Sequence, residues 1–363
     1  MTVINPLIIV FNPGSTSTKV GVFSHCDTPE GCGELDEWTV RHQESDFGEW
    51  RLVSEQLDAR LAAVLPKLED FISSGNVIAV IGRGGPLRPL RGGVYAINDA
   101  MLADFRTCKY SNHASNLGAL MAYHVAQKLS VPAYIADPIT TDEFIPVARI
   151  SGVPEIERKC RAHALNMKAV ARKAAEKLDI EYGESRFVVA HMGGGISVGA
   201  LVGGAIHDVN DALLGMGPFS PERAGALPLA GVIKMAYSGE YTREALERKF
   251  SKESGLKGYL GTADLQDVER MVRQGDEQAK LIYQAMVYQI AKETGAMTAA
   301  LDGRIDAIIL TGGMAHSDQL GEDLIHKVER FGRVLVYPGE GELEALALAA
   351  CRAVNGLEEV LEY

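Results

Sequence analysis

The stretch IIVFNPGSTSTKVGVF (8–23) and a second one far along the chain, VVAHMGGGISVGAL (188–201), follow a single plan. Each opens on residues that read as buried strand, four before Asn12 and three before His191, the polar residue on which that strand ends. A turn of Gly, Ser and Thr follows, then an alternating strand carrying Gly21 or Gly199, and from the polar residue onward the two align with one residue's difference in length. Small residues let the backbone come close to a ligand, and successive amides in such a turn can converge on an anion. Taken singly, each stretch is as well explained by an ordinary hairpin with a Gly/Ser loop. As a pair at corresponding places, they predict a duplicated α/β protein whose two turns grip a polyphosphate. The turns are not helix-linked phosphate loops: Thr18 stands where GxxxxGK[ST] requires glycine, strand rather than helix follows, and there is no GxGxxG spacing.

Outward from the pair, short apolar runs alternate with amphipathic stretches. Strands are predicted at 7–11, 18–23, 77–82, 133–137, 187–192, 196–201, 306–312 and 334–338, and helices at about 54–72, 114–129, 164–179, 227–237, 276–301, 317–330 and 342–355. At 363 residues the chain exceeds what one hydrophobic core usually serves, so two lobes are expected. With 47% hydrophobic and 23% charged residues it reads as a soluble globular protein.

No apolar run reaches the roughly 18 residues of a membrane span, and MTVINPLIIVFNPG lacks a signal peptide's basic head and cleavage site, so a cytoplasmic protein with no membrane partner is expected. A net charge of −12 argues against nucleic acid, whose phosphates are bound by concentrated Lys and Arg. Cys26, Cys32, Cys108, Cys160 and Cys351 are odd in number and form no CxxC, which fits reduced structural thiols rather than a disulfide frame or zinc site.

A set of phrases then carries a resemblance: NPGSTSTK (12–19), GRGGPLRP (82–89), NHASNLGA (112–119), DPITTDEF (137–144), HALN (163–166), AHMGGGISVGA (190–200), GPFSPERAGALP (217–228), ILTGGMAHS (309–317) and PGEGELEALALAA (338–350). They resemble the acetate and sugar kinase, Hsp70 and actin superfamily, within it the short-chain carboxylate kinases of the acetokinase family, and in their wording the butyrate kinase branch. The resemblance runs from residue 8 to residue 350. It implies an α/β fold of two duplicated actin-like ATPase lobes, each a ribonuclease H-like mixed sheet flanked by helices, with an ATP cleft between them. The lobes would be 1–150, joined by a last helix at about 343–363, and 151–342. Closure of the lobes and assembly into a homo-oligomer, a dimer or larger, are further implications.

The implied reaction moves the γ-phosphoryl of ATP onto a short-chain fatty acid, giving an acyl phosphate, and reverses readily to make ATP. The acid's carboxyl pKa, roughly 4 to 5, leaves it ionised at neutral pH, so no general base is required. The work is to bring two anions together in line and shield the transferring charge.

By resemblance Arg83 binds the carboxylate or the phosphoryl, Arg223 stabilises the transition state, Asp137 organises Mg²⁺ or its waters, and His163 contacts the transferring group. Asn12, Ser15, Ser17 and Lys19 in the first turn, with His191, Gly193, Gly194 and Gly195 in the second, would hold phosphates; Gly312, Gly313 and Met314 resemble an adenosine-binding turn. Asn12 and Glu342 match metal-associated positions, although Glu342 at a helix start is also favoured by the dipole alone. His113 is a candidate for the substrate side, while Arg88 and Arg91 read equally well as a solvated loop. The rival readings are an acyl kinase for acetate, propionate, isobutyrate or branched-chain acids, and a non-enzymatic ATP-driven clamp.

Overall fold

A computed structural model of the chain describes residues 6–25, 33–47 and 49–363, which leaves Cys26 and Cys32 outside the described residues. In chain order the elements are β1 (Leu7–Pro13), β2 (Ser17–Ser24), β3 (Glu34–Arg41), α1 (Leu57–Ser73), β4 (Val77–Arg83), β5 (Val94–Ala96), α2 (Asp99–Arg106), α3 (Asn116–Leu129) and β6 (Ala133–Ala136). There follow α4 (Pro146–Arg149), α5 (Ala164–Leu178), β7 (Arg186–Met192), β8 (Ile196–Val202), β9 (Ala205–Val209), α6 (Leu229–Ala236), α7 (Arg243–Lys252), α8 (Gly255–Leu260), α9 (Leu265–Arg273) and α10 (Glu277–Ala300). The last are β10 (Ala307–Gly312), α11 (Asp318–Val328), β11 (Val334–Pro338), α12 (Glu342–Val354) and β12 (Val360–Leu361). They gather into two compact units, Met1–Thr141 with Gly341–Tyr363, and Asp142–Glu340.

The first unit holds a mixed sheet in the order β12-β5-β6-β4-β1-β2-β3, the second a mixed sheet in the order β11-β10-β7-β8-β9. Five strands of the first, β6-β4-β1-β2-β3, repeat the second strand for strand: an antiparallel three-stranded meander followed by two parallel neighbours. The echo in the sequence is therefore a duplicated sheet. In the first hairpin Pro13 pairs with Thr18 and leaves the four-residue turn 14–17; in the second Met192 pairs with Ile196 and leaves the three-residue turn 193–195. That is the one-residue difference seen in the alignment.

β1 is buried along its whole length, which is why LIIVF reads as an unbroken apolar run: α3 and α12 pack against it. In the second unit the pleat divides the apolar residues cleanly. Val188, Ala190, Ile308 and Leu310 face one core with α10 and α11, while Phe187, Val189, Ala307 and Ile309 face another with α5. Parallel pairing brings chosen residues to one edge. Phe11 lies beside Gly82 and Arg83 beside Ala136; His191 lies beside Thr311, and Gly312 beside Pro338. These are the carboxyl ends of parallel strands, where open α/β sheets bind ligands.

Candidate active site

In the first unit, three of the expected residues meet at that edge. Glu342, the first residue of α12, accepts from Arg83 Nη1 at 2.7 Å and from Asn12 Nδ2 at 2.6 Å, both on Oε2. Arg83 Nη1 also lies 3.4 Å from Asn12 Oδ1, so the end of β1, the end of β4 and the start of α12 form one polar cluster. Asp137 follows the residue paired with Arg83, and its backbone is left-handed, φ +39°, a conformation that β-carbon-bearing residues rarely hold. Two hydrogen bonds with Gly93 sustain it: Asp137 N donates to Gly93 O at 3.0 Å, and Gly93 N donates to Asp137 Oδ1 at 2.9 Å.

Arg83 can sit there because strand and helix touch backbone to backbone. A β-carbon on Gly82 would lie 2.1 Å from Gly118 O in α3, and one on Gly118 would lie 2.4 Å from Arg83 O. His113, just before α3, accepts the Ser115 backbone N–H on Nδ1 at 3.2 Å, with the Ser115 hydroxyl 2.7 Å from the same atom. An N–H can only donate, so Nδ1 is unprotonated and a neutral ring carries its hydrogen on Nε2. Partial burial, then the Arg83 charge, holds its pKa below the usual histidine value. Arg88 and Arg91 are used differently: Arg88 stacks over the Tyr363 ring at 4.6 Å, and Arg91 pairs with Glu359 at 2.8 Å on the surface. Both fasten the C-terminal tail.

The first turn is closed by Gly14 N donating to Ser17 O at 2.7 Å. Ser15, Thr16 and Lys19 are exposed around it, and Ser17 is half-buried. Asn12, immediately before the turn, is only 5% exposed.

In the second unit, His191 is the next-to-last residue of β7 and His163 immediately precedes α5, and their rings stack with centroids 3.9 Å apart. Each is oriented from behind: His163 Nδ1 lies 2.8 Å from Ser197 Oγ, and His191 Nδ1 lies 2.7 Å from Asn166 Oδ1. Asn166 Nδ2 donates to Glu340 O at 2.6 Å, which fixes the amide and so requires His191 Nδ1 to carry a hydrogen. The second turn is closed by Gly193 N donating to Gly195 O at 3.0 Å.

Arg223 reaches the turn directly. A β-carbon on Gly195 would lie 2.1 Å from Arg223 Nη1, which donates to Ala212 O. Ser220 Oγ donates to Gly194 O at 2.6 Å and accepts from Arg223 N at 3.2 Å, joining turn and arginine loop. Burial holds the Arg223 pKa below the usual arginine value.

Gly312 closes β10 with φ +91°, a β-carbon there would lie 2.4 Å from Met192 O, and it exchanges two backbone hydrogen bonds with Gly339. Gly313 is exposed, whereas the Met314 side chain is buried in the core, so Met314 can offer a ligand its backbone rather than its side chain.

Asn166, Ser197 and Ser220 are positioned here without having been singled out as site residues. Asn166 and Ser220 lie inside quoted phrases, HALN and GPFSPERAGALP, and Ser197 lies in AHMGGGISVGA. Cys351 is buried in α12, Cys108 is half-buried, and burial pushes the Cys160 thiol up to about 12, which makes it an inert core residue.

The profile of the Acetokinase family matches residues 154–336. The chain belongs to the acetokinase family. The match lies within the second unit and takes in His163, the second turn, Arg223 and Gly312–Met314. Among solved structures, this acetokinase is similar to the acetate kinase of Porphyromonas gingivalis, with a TM-score of 0.74 at 19% identity over 97% of this chain and 100% of the other. It is also similar to the acetate kinase of Entamoeba histolytica, with a TM-score of 0.70 at 15% identity over 94% and 97%, and to a propionate kinase from Francisella tularensis, with 0.68 at 19% over 94% and 98%. The acetokinase thus has the actin-like ATPase fold, two mixed sheets with flanking helices. No helix among the described residues is long and apolar enough to cross a membrane.

Among the described residues no group of three or more His, Cys, Asp or Glu gathers as a metal cage. The Asn12 and Glu342 oxygens nevertheless fit Mg²⁺, which prefers oxygen, keeps several waters, and takes one or two protein contacts beside substrate phosphates.

Proposed function

We propose that this acetokinase phosphorylates butyrate or a similar short-chain fatty acid from ATP, and makes ATP in reverse from the acyl phosphate. The observation that carries the reading is the Arg83, Asn12 and Glu342 cluster beside the strained Asp137 at the carboxyl edge of the first sheet. It offers a fixed cation for an anionic acceptor and oxygen atoms for a metal, and the chemistry requires both.

In this mechanism the carboxylate arrives ionised and no residue removes a proton. Arg83, held by Glu342, binds the carboxylate or the phosphoryl oxygen. Arg223, held by Ala212 O against Gly195, shields charge on the transferring group. His163 donates to that group, its ring fixed by Ser197 and by stacking on His191. The amides and hydroxyls of turns 14–17 and 193–195, with Lys19, hold the phosphates, and the backbone of 312–314 receives the adenosine. Asn12 and Glu342 would hold Mg²⁺, with Asp137 orienting its waters; bound there, the ion neutralises phosphate charge.

Butyrate in preference to acetate rests on the wording of GPFSPERAGALP and the chain's length. One methylene is worth only about 1–3 kcal/mol of discrimination, so overlapping use of neighbouring acids is expected. The test is kcat/KM for straight and branched C2–C6 acids in an ADP-release assay. The proposal expects the optimum at butyrate or a branched four- or five-carbon acid; an optimum at acetate would replace the substrate but keep the reaction.

A further inference from the structure

Beneath the first turn lies a cation for which the mechanism has no use. Arg60, on α1, is 0% exposed. Its Nη1 donates to Gly14 O at 2.9 Å, Ser17 O at 3.1 Å and Thr18 Oγ1 at 3.0 Å, and its Nη2 donates to Ser15 O at 3.0 Å. Nε and Nη2 both donate to Gln56 Oε1, from the residue just before α1, at 3.0 and 2.9 Å. None of these partners is a carboxylate, although buried charges are ordinarily paired with one. Carbonyl dipoles satisfy it instead. Burial lowers its pKa to about 10, which leaves the guanidinium charged at neutral pH.

The arrangement dictates which way the turn faces. In a planar trans peptide the C=O and N–H point in opposite directions. With Gly14 O and Ser15 O drawn onto the guanidinium, the amides of Ser15 and Thr16 are turned to the opposite side, where both residues are exposed. A positive charge at the carbonyl ends also polarises these peptides so that their N–H groups become better anion donors. Only a planar fork of five donors can hold several carbonyls and a glutamine at once; an ammonium has three donors and no fixed plane. Thr18 extends the support, with its hydroxyl 2.8 Å from His42 Nε2.

We propose that Arg60 is the positioning residue of the first phosphate turn, setting the Ser15 and Thr16 amides to receive nucleotide phosphate without touching the ligand itself. This rests on reading turn 14–17 as a phosphate grip. The experiment compares KM for ATP with KM for the acid in the full chain, for Arg60→Lys and for Lys19→Met, which alters the turn's own side chain.

The expected result is a rise of tenfold or more in the KM for ATP of Arg60→Lys, with the KM for the acid unchanged and a parallel rise for Lys19→Met. If Lys19→Met raises the KM for ATP and Arg60→Lys does not, the positioning role is wrong while the reading of the turn stands. If neither raises it, the reading of the turn fails and the proposal with it. An Arg60→Lys enzyme that only melts earlier, with both KM values unchanged, makes Arg60 a plain core residue and overturns the proposal. Should Arg60→Lys not fold, the near-isosteric Thr18→Val decides: a threefold or greater rise in the KM for ATP alone supports the role, and an unchanged value overturns it.

Discussion

Arg83 is placed by what surrounds it rather than by its own length. Glu342 and Asn12 hold one of its nitrogens, leaving a guanidinium whose direction is set before any substrate binds. Arg83→Gln removes the charge from a preorganised donor, so kcat should fall by about 10²–10³ in steady-state assays; a fall of less than threefold would contradict the role. His113 supplies a pH signature. Its folded pKa lies below the ordinary 6.5, so as pH falls the unfolded chain takes up the proton first. The stability it contributes is present above that ordinary value and is lost as pH falls through the folded one. The melting temperature of the wild type should therefore drop below that of His113→Gln as pH is lowered beneath about 6.5, a crossing that calorimetry at several pH values would show. At this scale chemistry and motif together singled out Asn12, Arg83 and Glu342 in the sequence, and the structure brings the three into contact. Ser220 and Asn166 passed unnoticed because their partners, Gly194 and His191, are 26 and 25 residues away. Arg60 did leave a trace, a lone charge in phase with the buried stripe Leu61, Val64 and Leu68.

Among the elements, the contact between β4 and α3 opposes two principles of known size. Replacing Gly118 by Ala in a helix should add about 1 kcal/mol from propensity alone. The new β-carbon, however, would lie 2.4 Å from Arg83 O, backbone that cannot move without moving the site. Overpacking of this kind costs about 1–3 kcal/mol or more, so packing should win. Gly118→Ala is expected to be less stable than the wild type in urea and to lose activity as Arg83 shifts; a more stable, fully active variant would contradict the account.

The elements that could be read from sequence are those with a strong apolar signal, including the strands at 7–13 and 186–192 and the helix at 277–300. β3, ELDEWTVR, was missed because an edge strand with charged outward residues carries no apolar run. α2 and α7 were missed although Asn98 and Thr242 cap them. In α9, Leu265, Val268 and Val272 fall at helical spacing behind the Asp264 cap, so the signal was present but short.

Over the whole molecule, duplication explains why so much was readable: one strand-turn-strand plan was written twice, and the copies confirm each other. In the proposed reaction a chain of net charge −12 handles two anions and so relies on local cations, the role proposed for Arg83 and Arg223, one in each unit. Among the described residues, α6 carries an exposed apolar stripe. α6 buries none of its residues, and Leu229, Ile233 and Tyr237, at helical spacing, are 76%, 57% and 86% exposed.

The most direct test of the central claim, phosphoryl transfer to a carboxylate, is to incubate the enzyme with ATP, Mg²⁺ and butyrate in hydroxylamine, which converts acyl phosphate to hydroxamate. The account predicts hydroxamate in step with ADP, and the loss of both in Arg83→Gln and Arg223→Gln. ADP formed without hydroxamate, or hydroxamate undiminished in those variants, would contradict it.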